Sequence, residues 1–132
     1  ATSNYIQSVF IEQVLDTTTG SASFVTLLTQ AVTTIAGSIL IIHATASISN
    51  TNTNNNQDIQ IVIDGTPARG AGSRVSAANV PQSMAIVYRK TGLSAGAHTI
   101  LLQWRTSGNT ARCRPTSLLN EHASLLIEEV TV

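Results

Sequence analysis

Few residues in this 132-residue chain could carry acid–base, nucleophilic or metal chemistry, and they do not form a known motif. A zinc site requires about three or four converging His, Cys or carboxylate ligands. The chain offers His43, His98, His122 and Cys113, which show no spacing typical of a metal site. We therefore expect no bound metal and no cofactor.

Cys113 is the only cysteine, so it cannot form an intrachain disulfide. Its neighbours Arg112 and Arg114 would favour the thiolate, and hence a nucleophile, if all three side chains converged. Alternation along a strand places the cysteine on the face opposite to both arginines. The pattern thus favours a buried, unreactive cysteine over an activated one.

The acidic residues also fail to form a catalytic pair. Asp58 and Asp64 share one strand face, and six residues at about 3.3 Å each separate them by about 20 Å. Paired carboxylates of glycosidases lie about 5–10 Å apart. Glu128 and Glu129 point to opposite faces, and no nucleophile elbow, phosphate-binding loop or zinc-protease helix occurs. We expect a non-enzymatic protein.

Charged residues make up only 11% of the chain, and the net charge is zero. No overall field therefore attracts nucleic acid or a membrane, and no apolar run is long enough for a membrane-spanning helix, so neither is expected as a partner. Six of the seven basic residues are arginine, whose planar guanidinium suits protein interfaces. They could equally be ordinary surface residues. The candidate contacts with an acidic partner are Arg69, Arg74, Arg112 and Arg114.

Period-two alternation of apolar and polar residues runs from end to end and predicts strands. The clearest examples are DIQIVIDG, which ends in an Asp64-Gly65 turn, and HTILLQWRT. We predict an all-β chain of about eight strands with negligible helix, folded as a single antiparallel β-sandwich of jelly-roll type over residues 1–132. The apolar residues of the two clearest strands should share one core: Ile61, Ile63, Ile100, Leu102 and Trp104.

Turn-forming residues separate the predicted strands. Residues 93–117 are interpreted as a core strand, a hairpin turn at SGNT and an edge strand. The segment GTPARGAGSRVSAANVPQ lacks clean alternation and is predicted to be a long surface connection. The Asn-rich segment 50–56 is interpreted as a loop tip.

The N-terminal segment 1–14 carries apolar residues on both faces of a predicted strand. Ile6 and Phe10 fall on one face, and Tyr5, Val9 and Ile11 fall on the other. Such a segment is covered on both sides, either as a central strand of one monomer or as an arm against a neighbouring subunit. We name these five residues as a candidate assembly interface.

Three stretches in order, IVIDGT, LSAGAHTILLQWRT and SLLIEE, resemble small jelly-roll domains of tailed-bacteriophage virion proteins. Such domains occur as capsid decorations or as fibre and tail tips. The resemblance implies a location on the virion surface, no cofactor, and the major capsid protein or another virion protein as partner. It also implies a homotrimer with a tumour-necrosis-factor-like arrangement.

No coiled-coil heptads precede the sandwich, which favours a capsid-decoration or cementing subunit over a fibre tip. Two alternatives stay open. One is a receptor- or carbohydrate-binding tip of a phage fibre or tail, and the other is an unrelated jelly-roll binding module.

Overall fold

A computed structural model describes residues 4–117 and 121–131 of the chain. Within these two ranges no helix has the length and apolar character needed to cross a membrane. Ten strands are present in the same ranges: β1 (Asn4–Glu12), β2 (Thr17–Thr19), β3 (Val25–Thr34), β4 (Ile39–Asn50), β5 (Asn56–Ile63), β6 (Thr66–Arg74), β7 (Gln82–Lys90), β8 (Gly96–Thr106), β9 (Ala111–Cys113) and β10 (Ala123–Thr131).

The strands form two antiparallel sheets. In the first, β4 pairs with β10 on one edge and with β7 on the other, and β1 completes the sheet beside β10. The second sheet has the order β3-β8-β5-β6. The eight long strands are distributed between the two sheets in jelly-roll order, with β5 and β6 forming a hairpin within the second sheet, which confirms the predicted fold class. The two additional strands, β2 and β9, have three residues each and extend the first sheet at the end of β4.

One apolar core fills the space between the sheets. The prediction of its centre is confirmed, because all five residues named from the alternation are buried in this core. Since β5 and β8 are paired neighbours inside one sheet, their inward residues face the other sheet together. Removal of this apolar surface from water is the main contribution to stability.

The predicted turn at Asp64-Gly65 is confirmed, and it joins β5 to β6. Both residues adopt positive φ, 49° and 83°, as a two-residue hairpin turn of type I′ requires. The expected surface connection after this turn is wrong in its first half, because Thr66–Arg74 forms strand β6 at the sheet edge. Its Pro67 and its glycines hide the alternation, and an edge strand tolerates both residue types.

The interpretation of residues 93–117 needs a second correction. Trp104 is buried in the core as expected. However, β8 and β9 belong to different sheets, so the SGNT segment crosses between the sheets and is not a hairpin turn. Strand β9 is also not an edge strand, because it lies between β2 and β4.

Candidate functional site

The N-terminal strand β1 is the edge strand of the first sheet and pairs only with β10 in the described residues. A bulge between Tyr5 and Gln7 shifts the register, so Tyr5 pairs with Val130 while Gln7 pairs with Glu129. This bulge turns Tyr5 to the outer side of the sheet. The predicted grouping of Tyr5 with Val9 and Ile11 is therefore wrong, because strict alternation does not hold across a bulge.

The remaining candidate interface residues divide according to the sheet. Val9 and Ile11 are half-buried and pack against the core, and Ile6 at the bulge is also half-buried. Phe10 points outward and is 58% exposed, and Tyr5 is 64% exposed. Only these two aromatic side chains of the predicted set present a large free apolar surface.

Phe10 begins a row of side chains that crosses the whole first sheet. It pairs with Leu126 on β10, which pairs with His43 on β4, which pairs with Val87 on β7. We call these four residues the Phe10 row. Val87 is 61% exposed and Leu126 is half-buried, so three of the four strands of this outer face carry an apolar side chain in the row, and His43 supplies the fourth.

His43 contributes a polar contact within this face. Its Nε2 lies 3.2 Å from Oε1 of Glu128, and both side chains are partly exposed. The pair lies across strands β4 and β10, so it helps to hold the outer face in register.

The outer face of the second sheet has a different chemistry. The Nε2 of Gln60 donates to Oε1 of Gln103 at 2.8 Å, and the Nε2 of Gln103 donates to the Thr26 hydroxyl at 3.4 Å. In the adjoining row, the Nε of Arg105 donates to Oδ2 of Asp58 at 2.8 Å. Amide and charged groups therefore occupy the centre of this face. The corresponding part of the first sheet's outer face is occupied by the Phe10 row.

A shallow hollow of about 270 Å³ lies at the end of this polar face. The Arg105 guanidinium stacks over the Phe24 ring, with its carbon 4.3 Å from the ring centre. Gly70 and Gly72 of β6 line the hollow, and the Asp58 carboxylate occupies the space that a side chain at position 72 would need. An aromatic ring next to hydrogen-bonding charged groups is an arrangement that can recognise a polar ring ligand.

The four candidate arginines do not gather into one cationic patch. Arg69 lies over the Tyr88 ring at 5.5 Å. Arg74 donates to Oδ1 of Asn54 at 3.5 Å. Both of these arginines have uncharged partners, and their role as contacts for an acidic partner stays a prediction.

The other two arginines lie on either side of Cys113. Arg112 donates to the Asn79 side chain. Arg114 forms two hydrogen bonds, at 3.1 and 3.2 Å, with the fully buried carboxylate of Glu121. Arg114 is therefore already neutralised by the protein itself and is a poor contact for an acidic partner.

Cys113 is buried on the face opposite to its arginine neighbours, which confirms the interpretation from the strand alternation. Its thiol donates to Oε1 of Gln13 at 2.8 Å. Burial raises the pKa of the Cys113 thiol to about 12, and the carboxylates of Glu121 and Asp16 act in the same direction. A thiol with this pKa is protonated at neutral pH and is a weak nucleophile.

His98 lies near the start of β8 and is buried, with 7% of its surface exposed. Its Nδ1 lies 2.6 Å from Oδ2 of Asp64, and its Nε2 lies 2.8 Å from the Ser94 carbonyl oxygen. Because both partners are acceptors, this geometry favours the doubly protonated ring, which can donate to both of them. Sequence reasoning missed this contact because Asp64, in the turn after β5, and His98, in strand β8, are far apart in the chain.

The titration of this pair follows from the geometry. The hydrogen bonds to Asp64 and Ser94 raise the pKa of His98 above 6.5, although burial acts against them. The hydrogen bonds from His98 and from the Thr99 amide lower the pKa of Asp64 below 3.8. The pair fastens the loop before β8 to the turn after β5, a structural role.

In the described residues, no group of three or more His, Cys, Asp or Glu side chains is placed to hold a metal ion. His43, His98, His122 and Cys113 lie apart, each with a local partner. Asp58 and Asp64 likewise bond to different basic side chains, Arg105 and His98.

Comparisons with known proteins show the fold. No protein-family model and no curated protein sequence matches the chain. Among solved structures, latent PorU from Porphyromonas gingivalis is similar over 97% of this chain, with a TM-score of 0.59 and 8% identity. The structure of the infectious bursal disease virus Gt strain is similar over 96% of this chain, with a TM-score of 0.57 and 11% identity. The structure of the VP2 subviral particle of that virus is similar over 93% of this chain, with a TM-score of 0.56 and 13% identity.

The chain spans only part of these structures: 13% of the PorU chain, 38% of the Gt strain chain and 37% of the subviral-particle chain. At such low identity the likeness establishes the β-sandwich, shared with proteins of virus particles among others. It does not transfer an activity or a partner.

Proposed function

We propose that this protein is a non-enzymatic structural component of a virus particle, a capsid-decoration or cementing subunit of a tailed bacteriophage. The observation that carries this proposal is the group of large exposed apolar side chains on the outer face of the first sheet: Tyr5 and Phe10 on β1 and Val87 on β7. Exposed apolar surface of this kind is typical of protein contact sites. The partner is the major capsid protein or another virion protein.

Two further features support the proposal. Cys113 and His98, whose side chains are of types that can act as a nucleophile or a base, are buried and engaged in structural hydrogen bonds. The fold is shared with proteins of infectious bursal disease virus particles, at the level of the sandwich alone. A homotrimer, implied by the resemblance, stays a prediction and corresponds to three times the chain mass of 13.9 kDa, 41.7 kDa.

The test is a cryo-electron microscopy reconstruction of particles that carry the tagged chain. Many copies spread over the shell support a decoration subunit. A few copies at the tail support an adhesion tip, and no density on any particle contradicts both roles.

A pair of matched variants then tests the contact surface. Val87→Ser removes an apolar side chain from the Phe10 row, and Val25→Ser makes the same change on edge strand β3 of the second sheet. Particle binding is expected to weaken at least tenfold for Val87→Ser and to stay unchanged for Val25→Ser. Equal binding of the two variants contradicts a contact through the first sheet.

A carbohydrate-binding tip is the second candidate, and the hollow beside Phe24, Asp58 and Arg105 favours it. Stacking on an aromatic ring and hydrogen bonds to charged groups are the interactions that a sugar would use. A glycan array with the purified chain tests this function. Binding that is lost in Phe24→Ala, but kept in Val87→Ser, supports the hollow as a sugar site, and an array without any binding contradicts it.

A further inference from the structure

A cavity of about 360 Å³ opens at one corner of the sandwich, between the edge strands β6 and β7 of the two sheets. Four of its lining residues belong to the core or pack against it: Ile63, Ala68, Tyr88 and Leu93. The cavity therefore lies between the sheets and not on either outer face. Sites for small molecules usually enclose about 300–1,000 Å³, so its volume fits a small ligand.

The cavity exists because the inner side of β7 extends beyond large side chains of the second sheet. Each inward residue of β7 pairs with a buried core residue of β4, and these inward residues are Met84, Ile86, Tyr88 and Lys90. The first two are buried, whereas Tyr88 and Lys90 are half-buried. At this point β6 presents the short side chains of Pro67 and Ala68, which leave the space between the sheets unfilled.

Lys90 places a positive charge on the inner side of a sheet, where apolar residues are the rule. The ion pairs of the described residues include neither Lys90 nor Arg69. A charge that is partly removed from water is costly unless an opposite charge compensates it. The half-buried Lys90 ammonium group therefore favours an anion in the cavity.

Arg69 adds a second positive charge beside the cavity. Its guanidinium carbon lies 5.5 Å from the centre of the Tyr88 ring, and this ring is part of the cavity wall. Two cations close to one low-dielectric cavity attract anions more strongly than either cation alone. The arrangement is specific in charge, because both basic side chains flank the same aromatic ring.

The acidic groups near the cavity have other partners. The Asp64 carboxylate lines the cavity, and the charge of Lys90 helps to lower the pKa of Asp64. This carboxylate already accepts hydrogen bonds from the His98 ring and the Thr99 amide, at 2.6 and 2.9 Å. The local balance of charge therefore stays positive.

A second carboxylate lies on the same inner face, two strands away from Lys90. Leu40 of β4 pairs with Lys90 on one side and with Glu129 of β10 on the other. The Glu129 carboxylate accepts hydrogen bonds from the Gln7 side chain and the Ile35 amide, at 2.7 and 2.8 Å. It is thus engaged on the side away from β7.

We propose that this cavity binds a small organic acid. The carboxylate of the ligand pairs with the Lys90 ammonium group, and its apolar or aromatic part lies against Ile63, Pro67 and Leu93. Charge-assisted hydrogen bonds are the stronger kind, and burial of the apolar part adds to the affinity. The site goes beyond the proposed function and does not depend on it, because it leaves the outer face of the first sheet free.

Titration of the isotope-labelled chain with benzoate, followed by amide NMR shifts, tests the site. Benzamide is the matched probe, because it has the same shape without the charge. For a ligand of this size a dissociation constant of about 1 mM is expected for benzoate, and benzamide should bind at least tenfold more weakly. The shift changes should concentrate at the end of β7 and at the Asp64-Gly65 turn.

Two variants of neighbouring residues then identify the cation. Lys90→Met removes the charge and keeps an apolar stem, so it should weaken benzoate binding at least tenfold and abolish the preference over benzamide. Arg89→Met removes the same charge from the exposed, opposite side of β7 and should bind benzoate like the wild-type protein. Unchanged thermal unfolding verifies the fold of both variants.

A second change tests the cavity itself. Ala68→Leu places a larger side chain on the β6 wall and should weaken the binding of both probes. An inward lysine on an edge strand can also serve only to prevent pairing with other chains, a role that requires no ligand. In that case Lys90→Met self-associates and the wild-type protein shows no saturable benzoate binding, which overturns the site. Equal affinity for the two probes, or an equal loss in Arg89→Met, overturns it as well.

Discussion

Raising the pH through the titration of His98 should weaken the fold. The imidazolium donates to both Asp64 and the Ser94 carbonyl, whereas a neutral ring has one proton and can satisfy only one of them. Because the folded-state pKa of His98 lies above the ordinary value of 6.5, its stabilisation is complete below about pH 6.5. It is lost as the pH rises through the folded-state pKa.

The size of the effect follows from the contacts. A hydrogen bond to a charged group contributes about 1.5–3 kcal/mol. The Asp64 side chain is 45% exposed, so solvent screening reduces the contribution of the pair to about 1 kcal/mol. Asp64 has the opposite pH dependence. Because its pKa is lowered in the folded state, its contribution to folding stability is present above about pH 4 and is lost as the pH falls.

Urea unfolding at pH 6 and pH 9, followed by the fluorescence of the single buried Trp104, measures this contribution. Between pH 6 and pH 9 the free energy of unfolding of the wild-type protein should fall by about 1 kcal/mol more than that of His98→Gln. His43→Gln is the control, because His43 lies on the exposed outer face. An identical pH dependence of the wild-type protein and His98→Gln would refute a protonated His98 in the folded state.

Three further predictions test the core, the thiol and the Asn-rich end. Ile61→Ala should lower the free energy of unfolding in urea by about 2–5 kcal/mol, since Ile61 is fully buried, and a loss below about 0.5 kcal/mol contradicts the register. Cys113 should resist a thiol reagent at pH 8 until the protein unfolds, because burial raises its pKa to about 12, and rapid labelling of the folded protein contradicts this. Asn50→Asp should lower the free energy of unfolding by about 1–3 kcal/mol, because the buried Nδ2 of Asn50 donates to the Thr106 hydroxyl and to the Gly108 carbonyl. The same change at the exposed Asn52 is the control and should leave the free energy of unfolding nearly unchanged.

Alternation predicted the core correctly because one-sided burial leaves a period-two pattern in strands β5 and β8. It failed where the backbone departs from regular pairing. The bulge after Tyr5 changes the side to which that residue points, and Pro67 with the β6 glycines hides an edge strand. Bulges and edge strands depend on their partner strand, which the local sequence does not contain.

The Asn-rich segment shows the same limitation for polar residues. It was interpreted as a loop tip, and Asn52 is indeed exposed there. Asn50 and Asn55, however, are buried, and the Nδ2 of Asn55 donates to Asn109 across the loop that follows β8. Composition indicates a loop but cannot indicate which amides turn inward to satisfy buried backbone groups.

The candidate site was predictable only in part, for a related reason. Phe10 could be named as an interface residue from the apolar character of its segment. Its alignment with Leu126, His43 and Val87 depends on three strand pairings between distant parts of the chain. A surface of this kind exists only when the register of every strand is known.

The buried ionisable groups indicate where function can reside in this fold. Glu129 shows the pattern: although burial raises its pKa, hydrogen bonds from Ser38, Gln7 and the Ile35 amide lower it below 4.5. Glu121 is similarly held by Arg114, and the His98 imidazolium by Asp64. Each of these charges is engaged within the chain and ties a loop or strand to its neighbour. These contacts hold the two sheets in register, and under the proposed function the first sheet, which exposes Phe10 and Val87, is the face that joins the subunit to its neighbours.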